Sequence, residues 1–300
     1  MSRSTRAQRV RRAARLLVAL ATLAAAGSAH AAEAPPTKHF VWRVTSAPVP
    51  FYLVGSFHSL TKDDYPLPSA YRSALAGAER LLFEYDPRRR DALARRFRDA
   101  GRYPSGQDIE AEVQPDTLAL LRKNLWRFGL KFDQVRHYRP WAIALRLLAQ
   151  RGPTGPASPL SMETRIVSQA QRAGKEVGGL ETIDEHVAFW REMLERDSEN
   201  LLVYILARDQ KVSTLFARTR AAWIRGDVAA LSATNARLRR ANPGLAQRLL
   251  DRRNLRWARC IEAEMGTGKP TAIVAGAGHF SGPGSVIAIL QKRGYKIEQL

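Results

Sequence analysis

Cysteine is nearly absent: one residue, Cys260, in 300, so no disulfide can form within the chain. Long hydrophobic runs are missing too. The longest apolar stretch, from Leu16 to Ala26, is too short to span a bilayer comfortably. There is no Gly-x-Ser-x-Gly elbow to present a nucleophilic serine. The Gly-Lys pair in Gly266-Thr267-Gly268-Lys269-Pro270-Thr271 lacks the P-loop spacing, and Pro270 has no N–H to offer a phosphate. Zinc-finger spacing, an RNP-like aromatic run and an obvious helix-turn-helix are also lacking. Acidic residues are scarce, 28 Asp and Glu against 48 Lys and Arg.

Much of that basic excess sits at the start. Arg3, Arg6, Arg9, Arg11, Arg12 and Arg15 form a leader without acids, followed by the apolar stretch and by Gly27-Ser28-Ala29-His30-Ala31-Ala32. This is the layout of a secretory signal peptide over residues 1–31, cut after Ala31. Arg11-Arg12 leaves the choice between the general and the twin-arginine export route open. The expected product is a periplasmic or secreted protein with no stable membrane span. Removing six of the 48 basic residues and none of the 28 acids leaves a mature charge of +14. That charge favours anionic partners, with acidic polysaccharide among them. The arginines are spread along helical segments, however, so a solvated basic surface is the better reading and no nucleic-acid partner is expected.

Residues 32–300 read as one α/β domain, with a single sheet whose strands come from both ends of the chain and a long helical middle region. Phe40 to Val44 and Phe51 to Val54 form paired strands around Pro48 and Pro50. A helix over Ala70 to Ala78 leads into a strand at Arg80 to Glu84, which predicts parallel pairing through a crossover. Helical periodicity then dominates, with Leu118, Leu121, Leu125 and Phe128 as an apolar stripe. Further strands are predicted at Lys175 to Glu181, from Thr271 towards His279, and at Tyr295 to Glu298.

Two strands end in the same way. Phe51-Tyr52-Leu53-Val54 runs into Gly55-Ser56-Phe57-His58, and Thr271-Ala272-Ile273-Val274-Ala275 runs into Gly276-Ala277-Gly278-His279. Each delivers a histidine just past a strand, at the sheet edge where α/β proteins build their sites. Glu84 and Glu181 end two other strands and point to the same edge. Two imidazoles and two carboxylates suit a divalent cation, with zinc, manganese and cobalt all compatible. A spare carboxylate could then act as general base. His137 and His186 read instead as half-buried helix histidines, and Cys260 as packed.

Six segments, taken in order, resemble the TraB/GumN family. They are Phe51 to His58, Tyr65-Pro66-Leu67-Pro68, Leu82-Phe83-Glu84-Tyr85-Asp86, and Gly174-Lys175 leading to Gly179-Leu180-Glu181-Thr182. The last two are Asp251-Arg252-Arg253-Asn254-Leu255-Arg256-Trp257, and Gly276 to His279 followed by Arg293-Gly294-Tyr295. The resemblance implies a fold related to the TIKI-type proteases and, more distantly, to erythromycin esterases and ChaN-type haem-binding proteins. It also implies a metal-dependent site on His58, His279 and Glu84. Glu181 and Arg253-Asn254 fall on further family positions. Ser161-Met162-Glu163 keeps the acid of a family motif but not its glycine, so Glu163 carries no assigned role.

The reading that follows is an exported hydrolase acting on a peptide or protein substrate. His58, His279 and Glu84 are the metal ligands, Glu84 or Glu181 the base, and Arg253 a support for an anionic intermediate. Two alternatives remain open: a non-catalytic protein binding haem or another ligand in the same cleft, and a metal-independent esterase-like hydrolase using His and Glu.

Overall fold

The computed structural model describes residues 38–58, 60–149, 161–207, 219–241 and 243–300. The leader, with its cleavage site, and the Pro/Gly-rich stretch at 152–159 lie outside them. The described residues divide into two compact units. One holds the sheet and draws on residues 38–89, 161–182 and 219–300; the other is helical and draws on 90–149 and 183–207.

The sheet has six strands: β1 (Val41–Val44), β2 (Phe51–Ser56), β3 (Arg80–Tyr85), β4 (Glu176–Glu181), β5 (Thr271–Gly276) and β6 (Ile297–Gln299). Their order across the sheet is β4-β3-β5-β2-β1-β6. β4, β3, β5 and β2 run parallel to one another, while β1 is antiparallel to both β2 and β6. The sheet is therefore single and mixed, with strands from both ends of the chain, and the fold is α/β.

Why β5 lies at the centre follows from its sequence. Ala272 to Ala275 are wholly buried, as are Phe51, Leu53 and Val54 of β2. Strands apolar on both faces need neighbours on both edges and cover on both sides. β5 accordingly sits between β2 and β3, so the β2–helix–β3 unit does not pair its own strands as the sequence order suggested. Insertion of a strand encoded so late costs little, because loop-closure entropy grows only logarithmically with chain length.

Helices Ser69–Ala76, Met162–Arg172, Arg253–Met265 and Val286–Lys292 pack against these strands and bury Tyr71, Ile166, Trp257, Ile261 and Leu290. Cys260 lies beside this core, partly buried.

In the helical unit the expected stripe is real. Leu121, Leu125 and Phe128 are buried, and Leu118 is half-buried. The organising helix is Ser198–Ala207, in which every residue from Leu201 to Leu206 is buried. A helix apolar all round has to be enclosed by others. His186 is buried in helix Ile183–Glu195, where its Nε2 accepts from the indole N–H of Trp190 at 3.0 Å. His137, expected on a helix, lies in an exposed turn. No helix among the described residues is long and apolar enough to cross a membrane.

Candidate active site

The strand registers bring the sequence-predicted residues to one place. Ser56 of β2 pairs with Gly276 of β5, Phe83 of β3 with Val274, and Tyr85 with Glu181 of β4. His58, Glu84, Glu181 and the turn carrying His279 thus emerge at the carboxyl end of four adjacent parallel strands. The glycines of the repeated motif make this packing possible. A Cβ on Gly55 would come within 3.2 Å of the Ala277 backbone, and one on Gly276 would stand 3.4 Å from the Glu84 carboxylate. Gly276 uses that closeness, donating its N–H to Glu84 Oε1 at 3.0 Å.

Arg253 stands among the acids. It opens helix Arg253–Met265 directly after a π-helical turn, Gln247–Arg252, an irregularity that often marks functional positions. Its Nε donates to Glu181 Oε1 at 2.8 Å, and its Nη2 to Glu84 Oε2 at 2.7 Å and Glu181 Oε2 at 3.0 Å. Its guanidinium also lies 4.4 Å over the Trp257 ring. The Glu181 side chain has no exposure at all and takes two more donors, Trp257 Nε1 at 3.0 Å and Arg256 Nη2 at 2.7 Å.

His279 is enclosed by the same group. Its ring tilts over Trp257 with centroids 4.4 Å apart. Nδ1 lies 2.6 Å from Asn254 Oδ1, and the Asn254 amide is oriented because its Nδ2 donates to the Gly284 carbonyl at 2.7 Å. An amide oxygen accepts, so Nδ1 carries the proton and Nε2 keeps a lone pair, 3.4 Å from Arg253 Nη1. Burial, helped by the charge of Arg253, outweighs Glu84 and Glu181 and lowers the His279 pKa to about 4. The ring is neutral.

His58 is built differently. Its side chain is 46% exposed, and Nδ1 lies 2.8 Å from Glu163 Oε1. Burial disfavours its charged form, but the charge and hydrogen bond of Glu163, with the charge of Glu84, prevail and raise its pKa to about 9. Burial likewise opposes ionisation of Glu163, and is outweighed by the charge of His58, which holds its pKa below the usual carboxylate range. The charge of Glu84 acts on both histidines; that of Glu163 on His58 alone, and that of Glu181 on His279 alone.

A family model matches this chain over residues 40–299, and its description is the TraB/PrgY/gumN family. The chain belongs to that family. No curated protein and no solved structure matches it.

Whether these groups suit a divalent ion is a question of free lone pairs. Among the described residues, no three His, Cys, Asp or Glu side chains are placed to share one. The chemistry agrees: the carboxylates of Glu84 and Glu181 are directed at a guanidinium, and the His279 lone pair faces the same group. Arg253 takes the place a metal would need, and as arranged the set does not fit one.

Of the residues singled out from sequence, Glu84, Glu181, Arg253 and His279 form one bonded cluster, and His58 stands beside it within reach of the Glu84 charge. Sequence reasoning gave no role to Glu163, Asn254 or Trp257. For Glu163 a signal existed: Ser161 caps helix Met162–Arg172, accepting from Thr164 N, and so fixes Glu163 in its first turn. Nothing in the sequence tied that turn to His58, 105 positions earlier.

Proposed function

We propose that this edge of the sheet is a hydrolytic site for a carbonyl substrate, a peptide or an ester, and that it works without a metal. The observation that carries the reading is the unlike pairing of two histidines at one edge: His58 Nδ1 stands 2.8 Å from the Glu163 carboxylate, whose charge raises its pKa, while His279 is buried against Asn254 and Arg253, and burial lowers its own. Groups whose environments push their pKa values apart are how one site holds an acid and an acceptor together at neutral pH.

His58, kept protonated by Glu163, donates to the carbonyl oxygen as charge develops there and then to the leaving group. Glu84, paired with Arg253, retains 18% exposure and acts electrostatically on both rings, so it takes the proton of the attacking water. Glu181 has no exposure to offer a water and positions Arg253 instead. His279, neutral and buried, keeps its Nε2 lone pair towards Arg253 and so helps to position that guanidinium. Balance is kept: one water proton goes to Glu84, one proton leaves His58 with the product, and both groups are restored by exchange with solvent.

The arginine-rich leader supports action outside the cytoplasm. The reading is tested with short peptides and p-nitrophenyl esters on the purified chain. Activity is expected to survive chelation, to stay level from about pH 5 to 8, and to fall about 10²- to 10⁴-fold in His58→Gln and in Glu84→Gln. Loss of activity to chelators with recovery on adding zinc, manganese or cobalt would replace this site with a metal-dependent one. Unchanged activity in both variants would remove the hydrolase reading.

A further inference from the structure

A cavity lies in the sheet unit, lined by none of the residues of the bonded cluster. It occupies about 670 Å³ between helices Ser69–Ala76 and Met162–Arg172, over the start of β3. Its floor is apolar, made by Leu75, Leu81, Ile166 and Ala170. All of its charged lining is positive. Arg72, Arg165 and Lys175 contribute to the wall, and no acid is found among the described residues that line it.

These cations are held in different ways. Lys175 Nζ donates to the carbonyls of Leu75, Ala76 and Ala78, so its three protons are spent on the end of the helix while its charge stays at the wall. The Arg165 guanidinium carbon lies 3.9 Å from the centroid of the Tyr65 ring, a cation–π contact that holds the group at the cavity wall. Arg72 is exposed on the first helix. A half-open cleft of this size, apolar except for a few polar groups of one sign, is how small-molecule sites are built.

We propose that this cavity binds an amphiphilic anion, an apolar chain ending in a carboxylate or phosphate head group. The chain lies on the Leu75, Leu81, Ile166 and Ala170 floor, and the head group meets the Arg72 and Arg165 guanidiniums, whose planar forks match both anions. Arginine rather than lysine at the available positions favours an oxyanion over a halide. This inference stands apart from the hydrolytic reading, since no residue of the cavity belongs to that cluster.

The test is calorimetric titration of the purified chain with dodecanoate, dodecyl phosphate and dodecanol below their aggregation thresholds. Saturable one-to-one binding of an anion is expected, with dodecanol weaker by about tenfold or more. Preference for dodecanoate would point to a free fatty acid, and preference for the phosphate to a lipid head group. Two kinds of variant locate the site: Ala173→Trp, at an exposed lining position, fills the mouth and abolishes binding, and Arg72→Glu with Arg165→Glu weakens the anions without affecting dodecanol. The thermal transition of each variant, followed by circular dichroism, shows that it is folded. No saturable binding, equal binding of dodecanol, or binding untouched by both kinds of variant would overturn the proposal.

Discussion

The loop after β2 and the loop after β5 carry the same Gly-x-x-His motif and deliver their histidines to opposite states. His58 is half exposed and paired with a carboxylate, while His279 is buried, paired with an amide and faced by a guanidinium. What distinguishes them is contributed by other parts of the chain: Glu163 from the start of one helix, Asn254 and Arg253 from the start of another. The motif fixes where an imidazole stands, and its partner fixes what that imidazole can do. Burial alone lowers a histidine pKa, and a bonded carboxylate is enough to reverse the outcome.

The comparison breaks most severely at Arg253. Arg253→Met leaves two carboxylates facing each other, one of them with no exposure, and removing one partner of a buried ion pair costs about 3–5 kcal/mol. Urea denaturation is expected to show a loss of that order. The variant also removes the positive charge beside His279, which should titrate higher, while His58 stays near its present value.

Glu163→Gln makes His58 more like its counterpart. Without the carboxylate, the His58 pKa falls from about 9 towards or below its ordinary 6.5, so the alkaline limb of activity moves down with it. Stability changes in the same window. A histidine with a raised folded-state pKa contributes stability that is fully present below pH 6.5 and lost as pH rises towards 9. The wild type should therefore lose stability over that interval and the variant should not, as urea midpoints measured from pH 6 to 9 would show.

A smaller effect is expected when His279 is made more like His58. Asn254→Asp places a carboxylate on Nδ1, and the His279 pKa should rise by about one pH unit or more, since an opposite charge at hydrogen-bond distance favours the protonated ring. The acid limb of activity would move up accordingly. An unmoved limb would mean that Asn254 serves only to hold the ring in place.

The same distinction explains how much could be read in advance. β2 and β5 are plainest in the sequence because buried parallel strands are short apolar runs ended near glycine, as at Phe51–Ser56 and Thr271–Gly276, and the other four strands lie where the sequence predicts them. The common edge of His58, His279, Glu84 and Glu181 follows from that pattern. The order of the strands does not, because nothing local in Arg80–Tyr85 says that β5 will come between it and β2. Nor do the pairings that set charge: Glu163 to His58 and Arg253 to Glu84 join positions 105 and 169 apart, and only the folded register brings them together. A cluster of His and Glu reads as a metal site until the arginine among them is placed. The leader and the stretch at 152–159 are outside the described residues.

The claim that two copies of one motif hold histidines of opposite charge is tested most directly by a proton–nitrogen NMR titration of the imidazole rings, with His58→Gln and His279→Gln used to assign them. One ring is expected to remain an imidazolium up to about pH 9, and the other to remain neutral with its proton on Nδ1 down to about pH 4. If both rings titrate together near the ordinary value of 6.5, the two loops are chemically alike and the account of the site is wrong.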